Sequence, residues 1–402
     1  MRYRSAMIGI PALVLVLNAG QMASAATNSP RDSNGTKTPA TSTATWDKVA
    51  TAKYLDSREV WWQMWPPAQK DHETVCVSCH TNVPYALARP LLRNAMGEQK
   101  VSEPERVMLD SIIKRVNLGD QAEPFYNDAK HGPGKSKEAR NTESVFNALI
   151  LSRYDSQAGH LQEVTRKAFE RMWAAQEQTG PKAGAWIWQN FHFSPWEADE
   201  SEYYGATMAV IAVGSAPDGY RNDPKIQGNL TLLREYLRRE APEQPLLNRI
   251  FWLWASTHLP GLMTNAEQAQ VTEEILRQQQ ADGGWSLTTL GTWKRHDKSP
   301  FDSRSDGFAT GVAVLALEES EAGKSSPAVK RGVDWLLANQ NKTDGFWPAY
   351  SVNVQRDPAS DVGRFMSDAA TGFSVLALEN SVSSGHEAGS GGAKKTTVGK
   401  SN

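Results

Sequence analysis

Cysteine is nearly absent: the 402 residues hold two, Cys76 and Cys79. Long apolar runs are missing as well. Nothing beyond the first residues is long and apolar enough to cross a bilayer as a helix, so no integral membrane segment is expected once a leader is removed. Charge of one sign is also lacking. The 43 basic and 45 acidic residues leave a net charge of -2. No basic stripe interleaves with aromatics, which argues against a nucleic-acid partner. Two stretches, Thr27 to Thr45 and Ser383 to the end, have few apolar residues and many Ser, Thr, Gly and Lys. Neither can bury enough surface to offset its ordering entropy, and both are expected to be flexible.

The N-terminus reads as an export signal. Arg2 and Arg4 precede the apolar run Ala6 to Leu17, which ends in the small residues Ala23-Ser24-Ala25. That pattern predicts a signal peptide over 1–25 and a periplasmic or secreted protein. The chain then divides into a linker at 26–45, a folded region at 46–382 and a tail at 383–402.

Both cysteines lie in Cys76-Val77-Ser78-Cys79-His80. Two thiols at this spacing can reach the two vinyl groups of one porphyrin, and the histidine that follows is carried under the ring to bind iron. At these five residues the chain resembles c-type cytochromes. The resemblance implies one covalent haem c, with Cys76 and Cys79 as thioether anchors and His80 as proximal ligand. A redox Cys-x-x-Cys disulfide would want a βαβ pattern, and half of a zinc site would want further ligands at close spacing.

The chain has fourteen tryptophans, which cluster in recurring places, and three segments look alike: Ala168 to Gly214, Glu274 to Glu319 and Val333 to Asn380. Each reads as a helix, a turn with Gly and Trp, a polar loop, and a second helix apolar nearly all round. The turns include Gln278 to Trp285 and, more loosely, Gln340 to Trp347. This pattern resembles the repeats of the squalene-hopene cyclase and protein prenyltransferase superfamily. The resemblance implies an all-α toroid, with inner helices around a central cavity. Six hairpins are counted, pairing 46–65 with 82–94, 103–116 with 142–153, 160–177 with 201–213, 226–239 with 247–258, 266–280 with 306–318, and 327–340 with 367–379. They predict a closed (α/α)6 ring with the haem motif in the first hairpin loop.

In such a ring every outer-to-inner loop emerges at one mouth. Trp186, Trp188, His192, Trp196, Trp293, His296, Trp347 and Met366 are expected there, and His258 at the opposite end. Candidates for a second iron ligand are Met366, His131 and His296, with His192 further round. Acidic residues before the inner helices, including Asp302, Asp306, Asp361 and Asp368, read as helix caps. Glu197-Ala198-Asp199-Glu200-Ser201 is similar to the acid motif of class II terpenoid cyclases, which implies Asp199 as a proton donor flanked by Glu197 and Glu200. The readings are therefore a redox protein, for electron transfer or oxidation of a ligand in an aromatic-lined cavity; a cyclase-like enzyme using Asp199; and a non-catalytic module for a polyprenoid or glycan. The first implies an unidentified redox partner protein, the others a hydrophobic or isoprenoid-like molecule or a sugar.

Overall fold

A computed structural model describes residues 45–126 and 132–390. The expected signal peptide, nearly all of the linker, His131 and the end of the tail lie outside the described residues. Twelve α-helices carry the fold among those described. The odd ones are α1 (Lys48–Met64), α3 (Glu103–Leu118), α5 (Glu163–Ala175), α7 (Gln227–Glu240), α9 (Asn265–Arg277) and α11 (Pro327–Asn339). The even ones are α2 (Asn82–Met96), α4 (Gly132–Ala158), α6 (Ser201–Ser215), α8 (Leu246–His258), α10 (Gly307–Glu319) and α12 (Phe365–Ser390).

Apolar patterning sorts the two sets. Every residue of α10 from Gly307 to Leu317 is buried, whereas α9 buries only Val271, Thr272 and Ile275. Helices apolar on all sides must be surrounded, and one-sided helices must cover them. The even helices touch in the order α2, α4, α6, α8, α10, α12, and α12 returns to α2. The fold is therefore the all-α toroid, and the ring is closed rather than an open solenoid.

The Gln-Gly-Trp turns latch neighbouring repeats. Gln279 Nε2 donates to the carbonyls of Gly283, in its own turn, and Ala328, in α11 (both 2.8 Å). Gln176 does the same with Gly184 (3.0 Å) and with Asn229 of α7 (3.1 Å). Gln340 donates to Gly345 (3.3 Å) and to Asp47, which caps α1, so the same latch closes the ring. Gly345 has φ +81°, and a Cβ there would lie 2.3 Å from the backbone of Ala50 in α1. Only glycine allows that approach. The turn tryptophans finish the motif: the indoles of Trp186, Trp285 and Trp347 donate to the carbonyls of Met172, Ile275 and Leu336 (2.7–2.8 Å). Trp186 and Trp347 are thus core residues, not rims of the mouth.

The interior is more filled than the resemblance implies. Phe373 of α12 meets Phe251 and Trp254 of α8 and Phe308 of α10 edge to face, with centroids 5.6–6.1 Å apart. Tyr204 of α6 extends this aromatic packing through Phe251 (5.0 Å). Two boundaries also differ from expectation. α4 begins at Gly132, well before 142, because Pro133 falls in the first turn, where no amide hydrogen is needed. α12 continues past Ser383 to Ser390. Extending a helix already nucleated by a buried segment costs little, and no proline interrupts it.

Candidate functional site

The loop between α1 and α2 starts as a two-residue antiparallel ladder, β1 (Gln69–Lys70) with β2 (Thr74–Val75). Cys76 follows, its amide donating to Ala68 O (2.9 Å) and its carbonyl accepting from Trp62 Nε1 (2.8 Å). The motif is braced from within. Asn82 Oδ1 accepts from the Ser78 amide and hydroxyl (2.8 and 2.9 Å), while Asn82 Nδ2 donates to both oxygens of Glu59 (2.9 Å each). Glu59 is fully buried, and desolvation pushes its pKa up to about 8. It is therefore held largely protonated at neutral pH.

The two thiols are unpaired. Burial pushes the Cys76 thiol up to about 12 and that of Cys79 well above its usual range. A redox Cys-x-x-Cys needs a lowered pKa, so this environment opposes thiol-disulfide chemistry. Burial likewise lowers His80 to about 3, with Arg58 and Arg356 repelling the cation. Its imidazole is neutral. Nδ1 lies 2.9 Å from Thr81 Oγ1, and Nε2 makes no hydrogen bond among the described residues. No cluster of three His, Cys, Asp or Glu suited to a metal ion occurs among the described residues.

His80 and Cys79 open into a pocket of about 240 Å³ at the mouth. Loops from repeats one, two, three and six meet here, and Trp65, Trp196, Arg356 and Met366 share the lining. Phe365 stacks on His80 with centroids 3.8 Å apart, and Trp62 meets it edge-on at 5.1 Å. Trp196 Nε1 is buried without a partner. Arg356 is tied to Asn353 Oδ1 (2.7 Å) and Ser351 Oγ (3.0 Å). Of the expected second ligands, Met366 shares the His80 pocket. His296 does not: its Nε2 contacts His192 O at 2.6 Å, and both histidines line a second pocket of about 840 Å³. His258 ends α8 at the opposite mouth, half-buried against Trp254.

The cyclase-like acids do not gather. Glu197 faces the His80 pocket, half-buried, and desolvation pushes its pKa up to about 7 against the pull of Lys135 and Arg356. Asp199 has 83% of its side chain exposed and accepts from Asn190 Nδ2 (2.6 Å). Glu200 accepts from Ser194 Oγ (2.7 Å). The three acids therefore do not form one cluster, and only Glu197 lines the His80 pocket. Among the helix-start acids, Asp306 caps α10, accepting from the Ala309 amide (2.9 Å). Asp361 pairs with Arg58 (2.9 Å). Asp368 lies inside α12 and binds repeat one instead of its own helix end: Tyr54 Oη and Arg58 Nε donate to Oδ1 (2.8 Å each), and Thr81 Oγ1 donates to Oδ2 (2.9 Å).

Sequence reasoning missed Glu59, Thr81, Asn82, Arg356 and Phe365. Thr81 and Asn82 abut the motif and were visible as its flank; the others meet it only through the folded ring.

Residues 254–360 match the squalene-hopene cyclase C-terminal domain family. That span contains the two turns, Gln279 to Trp285 and Gln340 to Trp347, that carry the repeat pattern. Three solved glycosidase structures, one in complex with glucose, align with 83–84% of this chain and 98% of theirs, at 11% identity and a TM-score of 0.47. No curated protein matches the chain.

Proposed function

We propose that this is an exported redox protein in which a squalene-cyclase-like toroid carries one haem c at its mouth. The observation that carries the reading is one pocket lined by His80, whose neutral imidazole leaves Nε2 without a hydrogen bond among the described residues, by Cys79 and by Met366, with the second unpaired thiol, Cys76, three residues away on the same loop. Cys76 and Cys79 would each add S–H across a vinyl group, forming one C–S bond and passing the hydrogen to the adjoining carbon, with no net electron change. His80 Nε2 and the Met366 thioether would be the groups that hold the iron, while Arg356 and the Trp196 indole would offer donors to anionic propionates. The haem would supply one-electron chemistry, and a histidine with a methionine as the protein's iron-holding groups would suit electron transfer. The cavity lies below the roughly 300–1,000 Å³ of ordinary ligand pockets, so a macrocycle requires the roofing loops, 191–197 and 351–365, to open around it.

The test is the absorption spectrum of protein exported from a host with haem c maturation. A sharp reduced α band that survives denaturation, and that is lost in Cys76→Ala and Cys79→Ala, supports the reading. A colourless wild-type protein sinks it. In that event the larger pocket favours a binding module for a polyprenoid or glycan, since it offers Trp293 beside polar and charged groups. A cyclase role for Asp199 is the weaker reading, given its exposure.

A further inference from the structure

Asp368 and His80 are far apart in the chain yet joined through one hydroxyl. Thr81 Oγ1 donates to Asp368 Oδ2 (2.9 Å) and lies 2.9 Å from His80 Nδ1. A hydroxyl has one hydrogen, and here Asp368 takes it. The Thr81 oxygen can then only accept, so Nδ1 must be the protonated nitrogen of His80 and Nε2 the one with the lone pair. Both Asp368 oxygens accept from other donors, Oδ1 from Tyr54 Oη and Arg58 Nε (2.8 Å each) and Oδ2 from Arg58 Nε (3.1 Å), so the carboxylate stands as acceptor although burial raises its pKa. The four side chains besides His80 are buried: Tyr54 is 4%, Arg58 3%, Thr81 2% and Asp368 1% exposed.

We propose that Asp368, acting through Thr81, is a positioning residue that selects the Nδ1–H tautomer of His80 and so presents Nε2 to a metal. The assignment deepens the haem reading, on which its meaning rests, because a hydrogen-bonded Nδ1–H also makes the opposite nitrogen more basic. The device spans the ring closure: α12 sets the state of a residue in the turn just before α2.

The first test needs no haem. In full-length protein made without haem maturation and labelled with ¹⁵N-histidine, long-range ¹H–¹⁵N correlations, assigned with His80→Ala, are expected to identify His80 as the Nδ1–H tautomer, the reverse of what exposed imidazoles prefer. Thr81→Val removes the acceptor and returns His80 to Nε2–H. Asp368→Asn, if it folds, does so by another route: its amide hydrogen donates to Thr81, whose hydroxyl then turns to Nδ1. A wild-type His80 already in the Nε2–H form, or one unmoved by Thr81→Val, overturns the proposal. In the haem-loaded protein Thr81→Val is expected to raise the reduction potential, since a less basic ligand stabilises the oxidised iron less. An unchanged potential in a coloured protein overturns the tuning role alone. A colourless protein with the Nδ1–H tautomer intact overturns the haem reading and not the tautomer assignment.

Discussion

The turn of repeat one and the turns of repeats three, five and six occupy the same topological place and are built in opposite senses. In the later repeats the tryptophan sits in the turn and donates back to the outer helix, as Trp347 does to Leu336 O. In repeat one Trp62 sits on the outer helix and donates forward into the turn, to Cys76 O. The later turns clamp a neighbouring helix through a glycine. The first turn has no such glycine and is held by Glu59 and Asn82 from below. A turn that only latches is specified by close approach, whereas one that presents side chains must be supported underneath while its upper face stays open.

The comparison breaks most severely at a latch. Gly345→Ala combines positive φ with a Cβ overlapping α1 backbone, and it is expected to cost more than about 4 kcal/mol, to the point of unfolding in a thermal melt. Gly97→Ala is the control, with φ +71° but nothing within 4 Å of the new Cβ; it should cost about 1–2 kcal/mol.

The next effect lies beneath the Cys76 to His80 turn. The pKa of Glu59 rises from 4.5 to about 8 on folding. Its stabilising contribution is full below pH 4.5, declines by about 1.4 kcal/mol per pH unit as the proton is lost from the unfolded chain first, and is gone above about pH 8. Denaturant midpoints measured across this window should lose that slope in Glu59→Gln, and a matching slope in the variant would refute the assignment.

Smaller still is the pair of indole bonds. Trp62→Phe and Trp347→Phe should each cost about 1–3 kcal/mol. Only Trp62→Phe should alter the visible spectrum of haem-loaded protein; equal spectral effects would erase the distinction between the two turns. The least effect is expected from Asp199→Asn, whose exposed side chain should leave stability within about 0.5 kcal/mol. A loss of any measured catalysis with stability intact would restore the cyclase-like reading.

The helices and the ring were legible because their information is periodic and local: all-apolar α6, α10 and α12 alternate with one-sided partners, and Gln279 to Trp285 announces a turn. The Cys76 to His80 motif was legible as a spacing. What escaped reading is held by distance. Asp368 reads as a helix cap in the sequence because its position in the first turn suits one, and only closure brings Arg58 and Thr81 to it, 310 and 287 residues away. Trp186 and Trp347 lie in loops that belong to the mouth, yet their indoles turn inward to helix carbonyls. Burial of a loop side chain is a tertiary fact that no local pattern carries.

The latch from Gln340 to Asp47 has a consequence for the order of assembly. It joins the last hairpin to the first, across a loop of nearly the whole folded region, so its closure entropy must be met before its contacts form. Until then Phe365 and Arg356 cannot cover His80, and the face of the first hairpin that holds Cys79 stays open. A chain growing from its N-terminus therefore presents Cys79 and His80 early and covers them last, when the ring closes.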